Sequence, residues 1–137
     1  MVPAKFEYLR ASSVSEAMNK MAQQGDEARL LAGGHSLLPA MKLRLSEPSA
    51  LIDISGIGEL NFIREDSGQL IIGAATTHAA IEHSDVVKSK IPLLAENAGW
   101  IGDIQVRNRG TLGGSTVGAV CGHYYAGQRR FTNRCCE

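Results

Sequence analysis

A predicted strand, a capped helix and a second predicted strand that runs into a pair of glycines occupy residues 6–36. No other feature of the chain limits its fold as strongly. Phe6 to Leu9 has the character of a short strand. Ser13-Val14-Ser15-Glu16 is a capping box, in which the two polar side chains satisfy free N–H groups at a helix start. Val14, Ala17, Met18, Met21 and Ala22 follow at helical spacing, which predicts Met18 and Met21 in the core. Gly25 suits the residue just past the helix end. Ala28 to Leu31 is the next strand, and Ala32-Gly33-Gly34-His35-Ser36 leaves it. Strand, helix and strand form a βαβ unit, whose right-handed crossover predicts a parallel pair.

Further along, Ser36 is expected to cap a short helix from Leu37 to Leu43, with Pro39 tolerated in its first turn. Leu51 to Ile54 reads as a buried strand. The run "LNFIRE", the turn Asp66-Ser67-Gly68 and the run "QLIIGAA" predict a β-hairpin. Thr77 can cap a helix from His78 to His83, and Ile91 to Ala98 is a second amphipathic helix begun near Pro92. The polar, glycine-punctuated "IGDIQVRNRGTLGGS" is expected to be an ordered loop. The pattern is that of an α+β chain in two parts, residues 1–55 and 56–115, followed by residues 116–137, which lack a clear period.

Bulk composition excludes several classes. The 137 residues include 14 basic and 14 acidic side chains, so no charge excess draws the chain to nucleic acid or an anionic membrane. No apolar run approaches the roughly 18–20 residues that span a bilayer. The N-terminal "MVPAKFEYLRASS" has no apolar signal-peptide core, which makes a cytoplasmic location the expectation. Cys121, Cys135 and Cys136 fit neither a disulfide framework nor zinc-ligand spacing, so no metal site is expected.

The two glycine stretches carry the chemistry. A Gly-Gly pair after a strand permits turns that other residues resist and removes Cβ atoms from the path of a ligand. Successive N–H groups can then converge on an anion. Ser36 adds a hydroxyl. A phosphate or pyrophosphate suits this best. Neither "AGGHSLLP" nor "RNRGTLGGS" is a dinucleotide G-x-G-x-x-G or a P-loop. One such loop alone is better explained by a tight turn. Two, each with a hydroxyl residue beside the glycines, point as much to a ligand as to structure.

Single residues have plainer explanations beside the functional ones. His35 suits a ligand contact or a turn better than a catalytic base. Arg107 and Arg109 suit pinning a loop more than pairing with phosphate. Asp53, at a strand end, suits binding backbone. Trp100 suits the core, and His78, His83 and His123 have no evident partner.

"LLAGGHSLLPAMKLRL" and "IGDIQVRNRGTLGGS", in this order and spacing, resemble the two flavin motifs of the FAD-binding medium subunit of molybdenum hydroxylases. This family includes aerobic carbon monoxide dehydrogenase and xanthine dehydrogenase. The resemblance runs from about residue 3 to Ser115. It implies a two-subdomain FAD-binding fold of the vanillyl-alcohol-oxidase or p-cresol-methylhydroxylase type, with the second subdomain incomplete. It implies that Ala32, Gly33, Gly34, His35 and Ser36 line the FAD pyrophosphate from one side, and Thr111, Leu112, Gly113, Gly114 and Ser115 from the other. The run "LIIGAATT" would lie near the flavin. Electrons would come from iron–sulfur clusters and leave to an acceptor, with a molybdopterin-containing large subunit and a [2Fe-2S] small subunit as partners. No side chain need act as acid, base or nucleophile.

After Ser115 the chain departs from the family. An Ala/Asp/Pro-containing stretch is expected there, and "TVGAVCGHYYAGQRRFTNRCCE" stands in its place. A frameshift or a truncated reading frame from about residue 116 is the expected source of the change. Two other readings follow: a truncated, non-catalytic fragment without flavin, and a different oxidoreductase of the same flavin fold.

Overall fold

The structure, a computed structural model, describes residues 2–121. His123, Cys135, Cys136 and most of the stretch after residue 116, with the expectations that rest on them, lie outside the described residues.

The first part is built on three short strands, β1 (Glu7–Arg10), β2 (Ala28–Leu31) and β3 (Ala50–Asp53). Their order is β1-β3-β2, and both outer strands run parallel to β3. The βαβ unit therefore exists, but its two strands do not pair with each other. Burial explains the order. Ala50, Leu51 and Ile52 are all buried, the continuous apolar run of a parallel strand covered on both faces. Such a strand takes the centre. The strands that carry Glu7, Arg10 and Arg29 take the edges.

Helix α1 (Val14–Gln24) crosses between β1 and β2. Ser13 is its N-cap, with Oγ accepting from the Glu16 N–H at 3.1 Å. The reciprocal bond of the capping box is displaced by one residue: Glu16 Oε2 accepts from the N–H and the hydroxyl of Ser12. Ala17 is buried, and Val14 and Met21 pack with it against Ala11, Ala28, Ala50, Ile52 and Ile57. Met18 is 67% exposed, contrary to the core position its spacing predicts. A three-stranded sheet offers a narrow face, so only the line through residues 14, 17 and 21 reaches it. Met18 lies about 100° around the helix from Ala17.

The second part begins with the expected hairpin, β4 (Ile63–Asp66) and β5 (Gln69–Ile72), with Asp66 opposite Gln69. Ser67 and Gly68 both have positive φ, 51° and 80°, the two-residue turn that matches strand twist. Four helices follow: α3 (His78–His83), α4 (Asp85–Lys90), α5 (Pro92–Gly99) and α6 (Ile104–Arg109). Thr77 caps α3 by accepting from the Ala80 N–H. Ile81, Val87, Leu94, Ala95 and Ala98 form a second core, against which Ile63, Leu70 and Ile72 of the hairpin pack. Trp100, expected in the core, is 81% exposed. The buried face of α5 runs through Leu94 and Ala98, and two residues past Ala98 is the opposite side of the helix.

"IGDIQVRNRGTLGGS" is mostly helical rather than a loop. Asp103 caps α6, with Oδ1 accepting from the Val106 N–H at 2.9 Å, and α7 (Leu112–Cys121) begins inside the glycine motif. Each glycine costs a helix about 1 kcal/mol relative to alanine, and tertiary contacts override that preference here. No helix among the described residues is long and apolar enough to cross a membrane.

Candidate functional site

The first glycine stretch leaves the C-terminal end of β2, next to the C-terminal end of β3, where Leu31 lies opposite Asp53. Open parallel sheets bind ligands at this end. Gly34 has φ 77°, in the region that favours glycine. The N–H groups of Gly33, Gly34, His35, Ser36 and Leu37 have no hydrogen-bond partner among the described residues. His35 and Ser36 are exposed. These are open donors in succession, the arrangement that receives an anion.

Ser36 does not cap the helix that follows, α2 (Leu37–Lys42). Its backbone is already helical, with φ −107° and ψ −44°, whereas a capping residue needs the extended conformation that swings its oxygen over the first N–H groups. Its hydroxyl has no partner among the described residues. The His35 ring folds back, with Nδ1 3.1 Å from the Gly33 carbonyl. This is a turn contact, and no carboxylate among the described residues orients the ring as a base.

The second stretch is built differently. Thr111 is buried and forms an antiparallel bridge with Thr77. The Leu112 N–H donates to the Thr76 carbonyl and the Gly113 N–H to the Ala74 carbonyl, both at 2.9 Å. The Gly114 N–H donates to Thr111 Oγ1 at 3.1 Å, and the Ser115 N–H to the Thr111 carbonyl at 3.0 Å. The motif thus spends its main-chain donors on the segment Ala74–Thr76 and on its own first helical turn. A Cβ on Gly113 would lie 2.7 Å from the Ala74 carbonyl oxygen, so this glycine serves close packing. The exposed surface of the motif lies at Gly114.

The two stretches meet. A Cβ on Gly33 would lie 1.9 Å from the Arg109 carbonyl oxygen and 3.0 Å from the Gly110 Cα. The space freed by the missing side chain is filled by the second motif's backbone. Gly33 therefore docks one loop on the other, and Gly34 holds the turn.

The arginines divide. Arg107 ties the approach to the motif: Nε lies 3.0 Å from Glu82 Oε2, and Nη1 donates to the Gly102 carbonyl. Arg109 contributes its carbonyl, at Gly33. Asp53 binds backbone, accepting from the Ser55 N–H at 2.8 Å, and also accepts from the Tyr8 hydroxyl. Burial pushes its carboxyl up, but the hydrogen bonds from Tyr8 and Ser55 outweigh this and hold it below the usual carboxylate range.

Sequence patterning missed His78. It is 2% exposed, its Nε2 lies 2.9 Å from Ser115 Oγ, and its N–H donates to the Gly110 carbonyl at 3.0 Å. Burial lowers its pKa and favours the neutral ring. The neighbouring Thr77 cap was legible. The contact with a residue 37 positions away was not.

Known proteins match this architecture closely. Residues 4–122 match the family described as the FAD binding domain in molybdopterin dehydrogenase, so the match continues past Ser115. The carbon monoxide dehydrogenase medium chain of Hydrogenophaga pseudoflava is 53% identical over 114 residues, covering 83% of this chain and 40% of the relative. The glyceraldehyde dehydrogenase medium chain of Sulfolobus acidocaldarius is 44% identical over 119 residues, covering 87% of this chain and 42% of the relative. Among solved structures, carbon monoxide dehydrogenase from Hydrogenophaga pseudoflava superposes with a TM-score of 0.83 at 52% identity, covering 85% of this chain and 40% of that one. Quinoline 2-oxidoreductase from Pseudomonas putida 86 gives 0.81 at 37% identity, covering 84% and 40%. The chain spans about 40% of the length of these relatives. The family match covers most of the chain, and the chain belongs to the family of FAD-binding domains of molybdopterin dehydrogenases.

Proposed function

We propose that the chain holds the pyrophosphate of FAD between residues 32–36 and 111–115, as part of a medium subunit that relays electrons in a molybdenum hydroxylase. The open N–H groups from Gly33 to Leu37, beside a second glycine motif docked on Gly33, carry this reading. Ala32, Gly33, Gly34, His35 and Ser36 present main-chain donors and one hydroxyl to the anion. Thr111, Leu112, Gly113, Gly114 and Ser115 form the facing wall, with Gly114 and the Ser115 hydroxyl as the groups nearest to hand. The residues fit the group: the N–H groups of residues 33–37 have no partner among the described residues, and Gly34, with φ 77°, holds the turn that presents them. Bound flavin supplies redox chemistry, taking electrons one at a time and releasing them singly or in pairs. The protein's part is to bind and orient it. A molybdopterin-containing large subunit and a [2Fe-2S] small subunit are the partners this reading requires. It also takes the fold as the two-subdomain type of vanillyl-alcohol oxidase, divided near residue 55.

The test is the visible spectrum of the purified chain after addition of FAD and removal of the excess. Retained flavin absorbance is expected. It should fall sharply in a Gly34→Asp, Gly114→Asp double variant, which adds two carboxylates to the anion site and a strained backbone at Gly34 (φ 77°). A colourless wild type, or a double variant that keeps its flavin, would overturn the reading.

A further inference from the structure

His78 is a buried, titratable side chain for which the cofactor reading has no task. It sits directly behind the site. A Cβ on Gly110 would lie 3.2 Å from the His78 ring, and the Gly110 Cα is one of the atoms against which Gly33 docks. The imidazole thus backs the platform on which the two loops meet. His78 grips the motif at both ends, by its backbone N–H on the Gly110 carbonyl and by ring Nε2 at Ser115 Oγ.

The direction of the second bond decides what Ser115 can do. A neutral imidazole has one N–H. With the proton on Nδ1, Nε2 accepts, and the Ser115 hydrogen is spent on the ring. With the proton on Nε2, Ser115 Oγ accepts, and its own hydrogen is free. The 2.9 Å separation is compatible with either arrangement, and the second is the one in which Ser115 can serve a ligand. Among the described residues Ser115 Oγ contacts the His78 ring and makes no bond to the carbonyl one turn back, whereas Thr116 spends its hydroxyl on the Leu112 carbonyl at 2.9 Å.

We propose that His78 is a positioning residue for the cofactor's pyrophosphate: its Nε2–H donates to Ser115 Oγ and so directs the Ser115 hydroxyl hydrogen to a phosphate oxygen. This rests on the cofactor reading above. Burial, which keeps the ring neutral, agrees with it.

Calorimetric titration of the full chain with FAD, with ADP and with riboflavin, which lacks the pyrophosphate, tests this. His78→Leu and Ser115→Ala should each weaken FAD and ADP binding about tenfold and leave riboflavin unchanged, the scale of one hydrogen bond to a charged group. His78→Gln, whose amide nitrogen can stand in for Nε2, should recover most of the loss. The double variant should bind no more weakly than the single ones, because both remove one relay. Imidazole ¹⁵N spectra of the wild type should place the proton of His78 on Nε2. A folded His78→Leu or Ser115→Ala that binds FAD as the wild type does, or a proton on Nδ1, overturns the inference and leaves the cofactor reading intact. A wild type that binds neither FAD nor ADP defeats the cofactor reading and the inference together. Should His78→Leu fail to fold, Ser115→Ala decides.

Discussion

At the level of single residues, the two glycines of the first loop have different jobs, and a substitution separates them. Gly34 adopts a positive φ of 77°. Gly33 is needed because the Arg109 carbonyl oxygen occupies the place of a side chain, 1.9 Å from an ideal Cβ. Backbone cannot rotate away as a side-chain tip can. Gly33→Ala should therefore separate the loops, destabilise the chain by about 1–3 kcal/mol, as overpacking does, and lose flavin. Thermal melts and retained absorbance check this, and unchanged values for both would show that the loops are not docked. Gly113→Ala meets the Ala74 carbonyl and should destabilise in the same way. Neither contact has a local signature. A double glycine announces freedom of the main chain, and only the partner 76 positions along the chain shows that Gly33 is used for close approach.

At the level of elements, helix ends were legible wherever a polar side chain stood beside an apolar run. Ser13, Thr77 and Gly25 behave as their chemistry requires. Helices α4 and α6 carry start signals of the same kind, Ser84 with Asp85 and Asp103, but weaker periodic patterns. The adjacent valines of α4 favour strands, and the glycines around α6 disfavour any helix, so propensity pointed away from both. The Glu16 carboxyl shows the energetics of a cap. Hydrogen bonds from Lys20 and from Ser12 lower its pKa to about 2 from an ordinary 4.5. A depressed folded-state value stabilises the fold above the unfolded pKa and loses that contribution as pH falls through the folded one. Glu16→Gln should therefore lower the melting temperature near neutral pH and remove part of the stability loss between about pH 4.5 and about pH 2. Melting curves across that range test it, and parallel curves for the two proteins would refute it.

At the level of the molecule, two separate cores stand beside one another. One lies between α1 and the parallel sheet, the other between the hairpin and α3 to α5. Ile52, fully buried at the centre of the first, should lose about 2–5 kcal/mol on substitution by alanine. If the cores are distinct cooperative units, hydrogen exchange in Ile52→Ala should quicken across residues 7–53 more than across residues 63–99. Equal acceleration in both would show a single unit. The candidate site lies where the first loop rests on the second motif, so ligand binding should couple the two.

The amino-acid sequence by itself determined the capped helices at Ser13 and Thr77, the hairpin turn at Ser67-Gly68, the buried strand through Leu51 and Ile52, and the resemblance that identified the family. These depend on interactions within a few residues, or on a pattern of side-chain types, and both are written along the chain. Tertiary structure alone decided the placing of β3 between β1 and β2, the exposure of Met18 and Trp100, the spending of the second motif's N–H groups on Ala74 and Thr76, and the pairing of His78 with Ser115. Each of these turns on which surfaces are covered and which groups lose water, and that is settled only when distant segments pack.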